Sequence, residues 1–177
     1  RRPYRGSPRS RIQIGGRMII YHGSNVAVSE PIVSKGRANL DFGKAFYTTD
    51  IKDQAENWAK VIFTRKEIGA ATVSVYTLDI VGVKRKFKYL KFDEYNQAWL
   101  DFVVGNRKGL KIYEDYDIVE GGVANDRVID TVEAYMDGII SAEFALGQLK
   151  YHKPNNQIAI ICQDVINNHL KFVEAYK

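Results

Sequence analysis

The 177-residue chain is 45% hydrophobic and 27% charged, the balance of an ordinary globular domain with enough apolar residues to bury a core. Its formal charge of +5 arises in the first seventeen residues, which hold six arginines (Arg1, Arg2, Arg5, Arg9, Arg11, Arg17) and no acid. The remaining 20 basic and 21 acidic residues nearly cancel, so the overall charge does not by itself argue for a nucleic-acid-binding surface on the body of the domain.

Cysteine and histidine usage narrows the classes further. A single cysteine, Cys162, excludes an internal disulfide and a cysteine metal cluster, and points to a reducing, cytoplasmic setting. His22, His152 and His169 lack the spacing of metal ligands, so no metal is expected. No apolar run reaches the roughly 20 residues that span a bilayer, and no membrane association is expected.

Residues 1–17 read as a disordered basic tail of Arg, Gly, Ser and Pro, with almost nothing to bury. Met18 follows, opens an apolar run and suits a native start, which makes the tail an expression remnant; the alternative is a basic arm that contacts nucleic acid. The domain is then 18–177.

Within it, strands are expected over 18–22, 45–48, 73–80, 87–90, 117–119 and 157–161, and a last one over 170–176. Helices are expected from a cap at Thr49 or Asp50 to about 66, from Asp93 to about 104, from Asn125 or Asp126 to about 136, and from Ser141 to 149. The first carries Ala55, Trp58, Ala59 and Ile62 at helical spacing. Strands are not each followed by a helix, so the class is α+β rather than a doubly wound parallel sheet.

Three short segments bear on chemistry. Tyr21-His22-Gly23-Ser24 places a histidine at the end of a buried strand, before a glycine whose bare backbone can approach a flat ligand and hydrogen-bond an amide. Asp41-Phe42-Gly43-Lys44-Ala45-Phe46-Tyr47-Thr48-Thr49 delivers a tyrosine and two hydroxyls to the start of a helix. Asn155-Asn156-Gln157-Ile158-Ala159-Ile160 puts a carboxamide at the mouth of a strand. Each alone reads as ordinary structure, a packed histidine, a strand entering a helix cap, a turn.

In this order and spacing the three segments resemble the His–Tyr–Glu type of ADP-ribosyltransferase, the group of diphtheria-like toxins and poly(ADP-ribose) polymerases. More closely, 18–176 resembles a family of small bacterial proteins related to those transferases, in which Asp115-Tyr116-Asp117-Ile118-Val119 and Gly122-Val123-Ala124-Asn125-Asp126 also fall into place. The resemblance implies an ADP-ribosyltransferase-like fold: two small, mostly antiparallel sheets forming a split core with an NAD-binding cleft, flanked by helices.

It also implies roles. His22 would hydrogen-bond the adenine-side ribose, and the Gly23 backbone would hold the nicotinamide carboxamide. Tyr47 would stack on the nicotinamide ring, with Trp58 or Phe46 covering its other face. Ser24, Thr48 and Thr49 would steady the cofactor or the strand ends.

Gln157 departs from the pattern, because the wider group carries a glutamate there. An amide keeps the hydrogen bond to a ribose hydroxyl and loses the charge that favours an oxocarbenium-like centre. Glu143, Glu120 and Asp126 are the acids expected to compensate. The glycine pair Gly121-Gly122 beside Asn125 and Asp126 suggests a tight loop near the cleft that reads the acceptor; a strand end followed by a helix cap is the other reading.

The implied activity is mono-ADP-ribosylation of a protein or nucleic-acid acceptor with NAD⁺ as co-substrate, in the toxin of a toxin–antitoxin or phage-defence pair restrained by an antitoxin protein. NAD⁺ hydrolysis and non-catalytic binding of NAD⁺ or ADP-ribose are the alternatives.

Overall fold

The computed structural model describes residues 13–124, 126–152 and 155–177. Residues 1–12 of the expected tail lie outside this range, but 13–17 do not belong to a tail. Gln13–Ile14 (β1) pairs antiparallel with the start of Arg17–Ser24 (β2), through the turn residues Gly15 and Gly16. Both glycines have positive φ, 57° and 76°, the backbone that a two-residue hairpin turn demands. Arg17 is anchored as well: its Nε donates to Thr77 Oγ1 at 3.0 Å and its guanidinium reaches the His169 carbonyl at 3.3 Å.

The class is α+β. In chain order after β2 come Phe46–Thr48 (β3), Lys52–Lys66 (α1), Thr72–Leu78 (β4), Ile80–Lys86 (α2), Tyr89–Lys91 (β5) and Gln97–Arg107 (α3). They are followed by Ile118–Gly121 (β6), Asp126–Met136 (α4), Ala142–Leu149 (α5), Gln157–Ile160 (β7), Gln163–His169 (α6) and Leu170–Tyr176 (β8). The strands form two four-stranded sheets, ordered β1-β2-β4-β8 and β3-β7-β6-β5, antiparallel throughout except for the β5–β6 pair. Among the described residues, one isolated antiparallel bridge, Tyr21 to Thr49, joins a strand of the first sheet to the end of β3.

Alternation of side chains along the strands divides the interior into layers. Met18, Ile20, Tyr76 and Leu78 of the first sheet meet Phe46, Ile118, Ile158 and Ile160 of the second, forming the core between the sheets. The opposite face of the first sheet, with Tyr21, Val73 and Val75, packs on Ala55 and Ala59 of α1. On the outer face of the second sheet, Val119 and Ala159 lie under α3, α4 and α5 through Trp99, Leu100, Val103, Val128, Val132, Ala145 and Leu149. Trp99 is fully buried yet not orphaned, because its indole N–H donates to the Gly122 carbonyl at 3.0 Å.

Several expected boundaries move for local reasons. The strand expected over 73–80 ends at Leu78, because the Asp79 side chain accepts the Gly82 N–H and starts α2. Asn96, not Asp93, caps α3 by accepting the Trp99 N–H at 2.9 Å. Helix α1 begins at Lys52 without a side-chain cap; Thr49 Oγ1 instead accepts from the Ile51 N–H just before it. Ser141 does cap α5, accepting the Phe144 N–H at 3.1 Å.

The seat of α1 on β2 leaves no room for a side chain at position 23. A Cβ built on Gly23 would lie 2.2 Å from the Ala55 carbonyl oxygen and 2.8 Å from the Ala59 nitrogen, both backbone atoms that cannot rotate aside. Gly23→Ala should therefore cost at least about 1–3 kcal/mol, the scale of an overpacked core. A denaturant midpoint equal to that of the parent protein would contradict so close a packing of α1.

Candidate functional site

Strand β2 ends where the two sheets meet, and its backbone alternation determines what it offers there. Tyr21 exchanges both backbone hydrogen bonds with Thr49, at 2.8 and 2.9 Å, so its N–H and C=O point away from β4. Two residues on, Gly23 points its N–H and C=O to that same edge, past the end of the bridge. A donor and an acceptor side by side match the two complementary groups of a carboxamide.

His22 projects to the inter-sheet side. Its ring lies 4.4 Å from that of Phe46, centroid to centroid, and its Nδ1 is 2.7 Å from the Tyr47 carbonyl oxygen. A carbonyl only accepts, so Nδ1 carries the proton and Nε2 is left as an acceptor in the neutral ring. Burial pushes the imidazole below its ordinary range against a smaller opposing pull from the Tyr47 carbonyl, which keeps this tautomer neutral.

The structure joins His22 and Tyr47 through the main chain, not through their side chains. Phe46 and Tyr47 alternate, so Phe46 faces His22 while the Tyr47 ring turns to the outer face of β3 and packs with the second core. There the Tyr47 hydroxyl donates to the Gly43 carbonyl at 2.5 Å and accepts from the Phe42 N–H at 3.2 Å. Burial, together with the nearby Asp41 carboxylate, pushes this phenol well above its ordinary range, and it stays protonated. Phe46 itself is buried between His22 and Tyr76 and supports the histidine.

Gln157 heads β7 opposite Gly121 of β6, on the same face as Ala159, which pairs with Tyr47. Tyr47 and Gln157 therefore share a face at the mouth of the second sheet. The Gln157 side chain is buried, and its Nε2 has no hydrogen-bond partner among the described residues. A buried N–H donor without a partner costs about 1–3 kcal/mol.

The remaining expected residues divide between exposed and hydrogen-bonded structural positions. Trp58 is 45% exposed on α1, with the Arg65 guanidinium 5.7 Å from its ring centroid. Thr48 donates to the Ile158 carbonyl at 2.8 Å and serves the strand pairing, while the Ser24 hydroxyl donates to Asn25 Oδ1 at 3.3 Å.

Of the acids expected to stand in for a carboxylate at Gln157, Glu120 and Glu143 are turned to other surroundings. Glu120 is fully buried but lies on the opposite face of its sheet, accepting from the Tyr89 hydroxyl at 2.7 Å and from Asn156 Nδ2 at 2.9 Å. Glu143 stands exposed on α5, beside a shallow hollow lined by Ser141, Phe144, Gly147 and Gln148. Asp126 opens α4, and its side chain lies outside the described part of the structure. Another hollow, of about 360 Å³, lies beside Tyr76, Gln163 and Phe172 and includes none of the site residues.

Contacts that sequence reasoning did not reach hold the site's surroundings. Asp41, buried, takes the Arg107 guanidinium at 2.6 Å and the Ala124 N–H at 3.0 Å. Burial raises its carboxyl above the ordinary range more than Arg107 and the amide lower it. Asn155 closes on Val123 from both sides, accepting its N–H at 2.7 Å and donating to its carbonyl at 3.3 Å. This fixes the loop after Gly121 and Gly122 beside the head of β7. The run of three carboxamides from Asn155 to Gln157 was the available signal, though nothing in it names partners so distant in the chain.

The lowered pKa of His22 has a definite sign. The unfolded imidazole takes up its proton before the folded one does, so the contribution of His22 to stability falls as pH drops below the ordinary histidine value of 6.5. His22→Gln should flatten this acid-side decline. Melting temperatures across pH 5 to 8, roughly the range in which an imidazole titrates, would reveal it; identical slopes for the two proteins would contradict it.

No match was found among curated proteins or among solved structures. A family model described as "Protein of unknown function (DUF3990)" matches residues 18–172, and the chain belongs to that family.

Proposed function

We propose that this protein is an ADP-ribosyltransferase that binds NAD⁺ at the junction of its two sheets and transfers a single ADP-ribose to a macromolecular acceptor. The observation that carries the reading is the buried, unpartnered Nε2 of Gln157, on the face of the sheet that also bears Tyr47. A ribose hydroxyl is a ligand of the right chemistry to complete it. Three further features support the same ligand. The Gly23 edge matches a carboxamide, the Nε2 of His22 is an acceptor for a ribose hydroxyl, and Tyr47 and Trp58 supply rings for stacking on a cationic heterocycle. The hydroxyl bonds of Tyr47 hold its ring in one orientation, so little rotamer freedom is lost when a ligand packs against it.

In the cell the protein would act in the cytoplasm as the toxin of a toxin–antitoxin or phage-defence pair, with an antitoxin protein as its restraint. A second reading, a module that binds NAD⁺ or ADP-ribose without cleaving it, is favoured by one specific observation: Gln157 is an amide, and Glu120 lies on the opposite face of the sheet. NAD⁺ hydrolysis, with water as acceptor, is the third.

Labelled NAD⁺ incubated with the protein and whole-cell lysate, then treated separately with protease and nuclease, distinguishes these readings and names the acceptor class. Label should pass to a protease-sensitive or a nuclease-sensitive fraction. Gln157→Ala should lower that transfer on the order of a hundredfold, the scale of losing one group aimed at a developing charge. Gln157→Glu should retain or raise NAD⁺ cleavage, with more hydrolysis. Transfer by Gln157→Ala at the parent's rate would remove Gln157 from the mechanism. Binding of NAD⁺ without consumption would establish the non-catalytic reading instead.

A further inference from the structure

Gln54 lies on the first turn of α1 and the head of β7 lies across from it, 102 residues away in the chain. Its side-chain amide meets the main chain of Asn156 twice: Nε2 donates to the Asn156 carbonyl at 2.6 Å, and Oε1 accepts the Asn156 N–H at 3.1 Å. Only one of the two possible orientations of the amide satisfies both bonds, so the contact is directional as well as close. The Asn156 side chain is tied down at the same point, its Nδ2 donating to Asp50 Oδ1 at 3.0 Å and Glu120 Oε2 at 2.9 Å. The next residue is Gln157, whose side-chain Nε2 has no hydrogen-bond partner among the described residues. The peptide before it is therefore held from both main chain and side chain, while the Nε2 of the side chain that follows has no partner among the described residues.

We propose that Gln54 is a positioning residue: its two-point grip on Asn156 fixes where β7 begins and thereby aims the Gln157 amide at the mouth of the second sheet. The inference rests on Gln157 being a working group of the site. Helix α1 suits the task because it is itself immobilised, with Ala55 and Ala59 packed directly against Gly23 of the first sheet. Gln54 thus carries the position of the first sheet across to the second. A preorganised group of this kind affects turnover more than ground-state binding.

The test uses the full chain, labelled with ¹⁵N. Gln54→Met keeps the length of the side chain and removes both hydrogen bonds; Gln54→Glu keeps the acceptor for the Asn156 N–H and removes the donor. Gln163→Ala is the control, because Gln163 makes an equivalent pair of bonds, to the Val33 N–H and the Pro31 carbonyl, away from the site. In Gln54→Met the Asn156 amide should exchange roughly five- to tenfold faster, as expected for loss of one backbone hydrogen bond, and the Gln157 side-chain amide signals should shift. Where the parent turns over NAD⁺, kcat should fall with little change in the dissociation constant for NAD⁺. Gln54→Glu should lie between parent and Gln54→Met, and Gln163→Ala should match the parent in every readout. Unmoved Asn156 and Gln157 signals in Gln54→Met, or equal movement in Gln163→Ala, would overturn the proposal, as would moved signals with undiminished turnover. Because the amide signals are read without NAD⁺, a parent protein that fails to bind NAD⁺ would remove the proposed function and still leave the grip of Gln54 on β7 decided.

Discussion

Two backbone hydrogen bonds between Tyr21 and Thr49 connect the sheets at the point on which the site depends. By occupying the β3 side of Tyr21 they determine, through simple alternation, that Gly23 offers its peptide groups to the same edge. They also bring β2 and β3 close enough for the His22 imidazole to reach the Tyr47 carbonyl. Thr49 then hands the chain to α1, which returns to pack against the strand it has just left. Side chains add chemistry to this junction, but its geometry is a property of the main chain.

The site is asymmetric in how firmly its parts are held. His22 has a fixed tautomer, the Tyr47 hydroxyl has both a donor and an acceptor partner, and Asn156 is bonded through backbone and side chain alike. Against this background the unsatisfied amide of Gln157 stands out, because buried polar groups in folded proteins are almost always paired.

Much of the fold could be read from the sequence where a single local rule operated. Ser141 before an apolar helical run gave α5, and the apolar alternation after Gln157 gave β7. Two short helices escaped. In α2 the residues Ile80, Val81 and Val83 continue the β-branched composition of β4, and only the cap at Asp79 marks the change of state. Helix α6 is short and polar, and Cys162 before it supplies no side-chain cap. The Gly15-Gly16 hairpin was legible in principle, but the arginine-rich composition around it argued for a tail. For the candidate site, motif order singled out His22, Tyr47 and Gln157 as expectations, yet could not show which face each side chain takes. The inward phase of Phe46 in β3 was one such feature, since phase along a three-residue strand is settled by packing and not by composition. The partners of Asn156 and Asp41 lie too far along the chain for any local pattern to reveal.

The arrangement at Asp41 has a consequence for how the protein breathes. Three segments distant in sequence converge on one enclosed carboxylate: the stretch leading to β3, the end of α3 through Arg107, and the loop after β6 through the Ala124 amide. Withdrawing any one of them leaves a charge in a poorly hydrated setting with its compensation incomplete, so no segment gains by departing alone. The three should open and close as one cooperative unit, sharing a single opening free energy in hydrogen exchange although nothing in the order of the chain groups them. The stretch before Tyr47 and the loop beside Gln157 belong to that unit, and so the two flanks of the second sheet's mouth would loosen together or not at all.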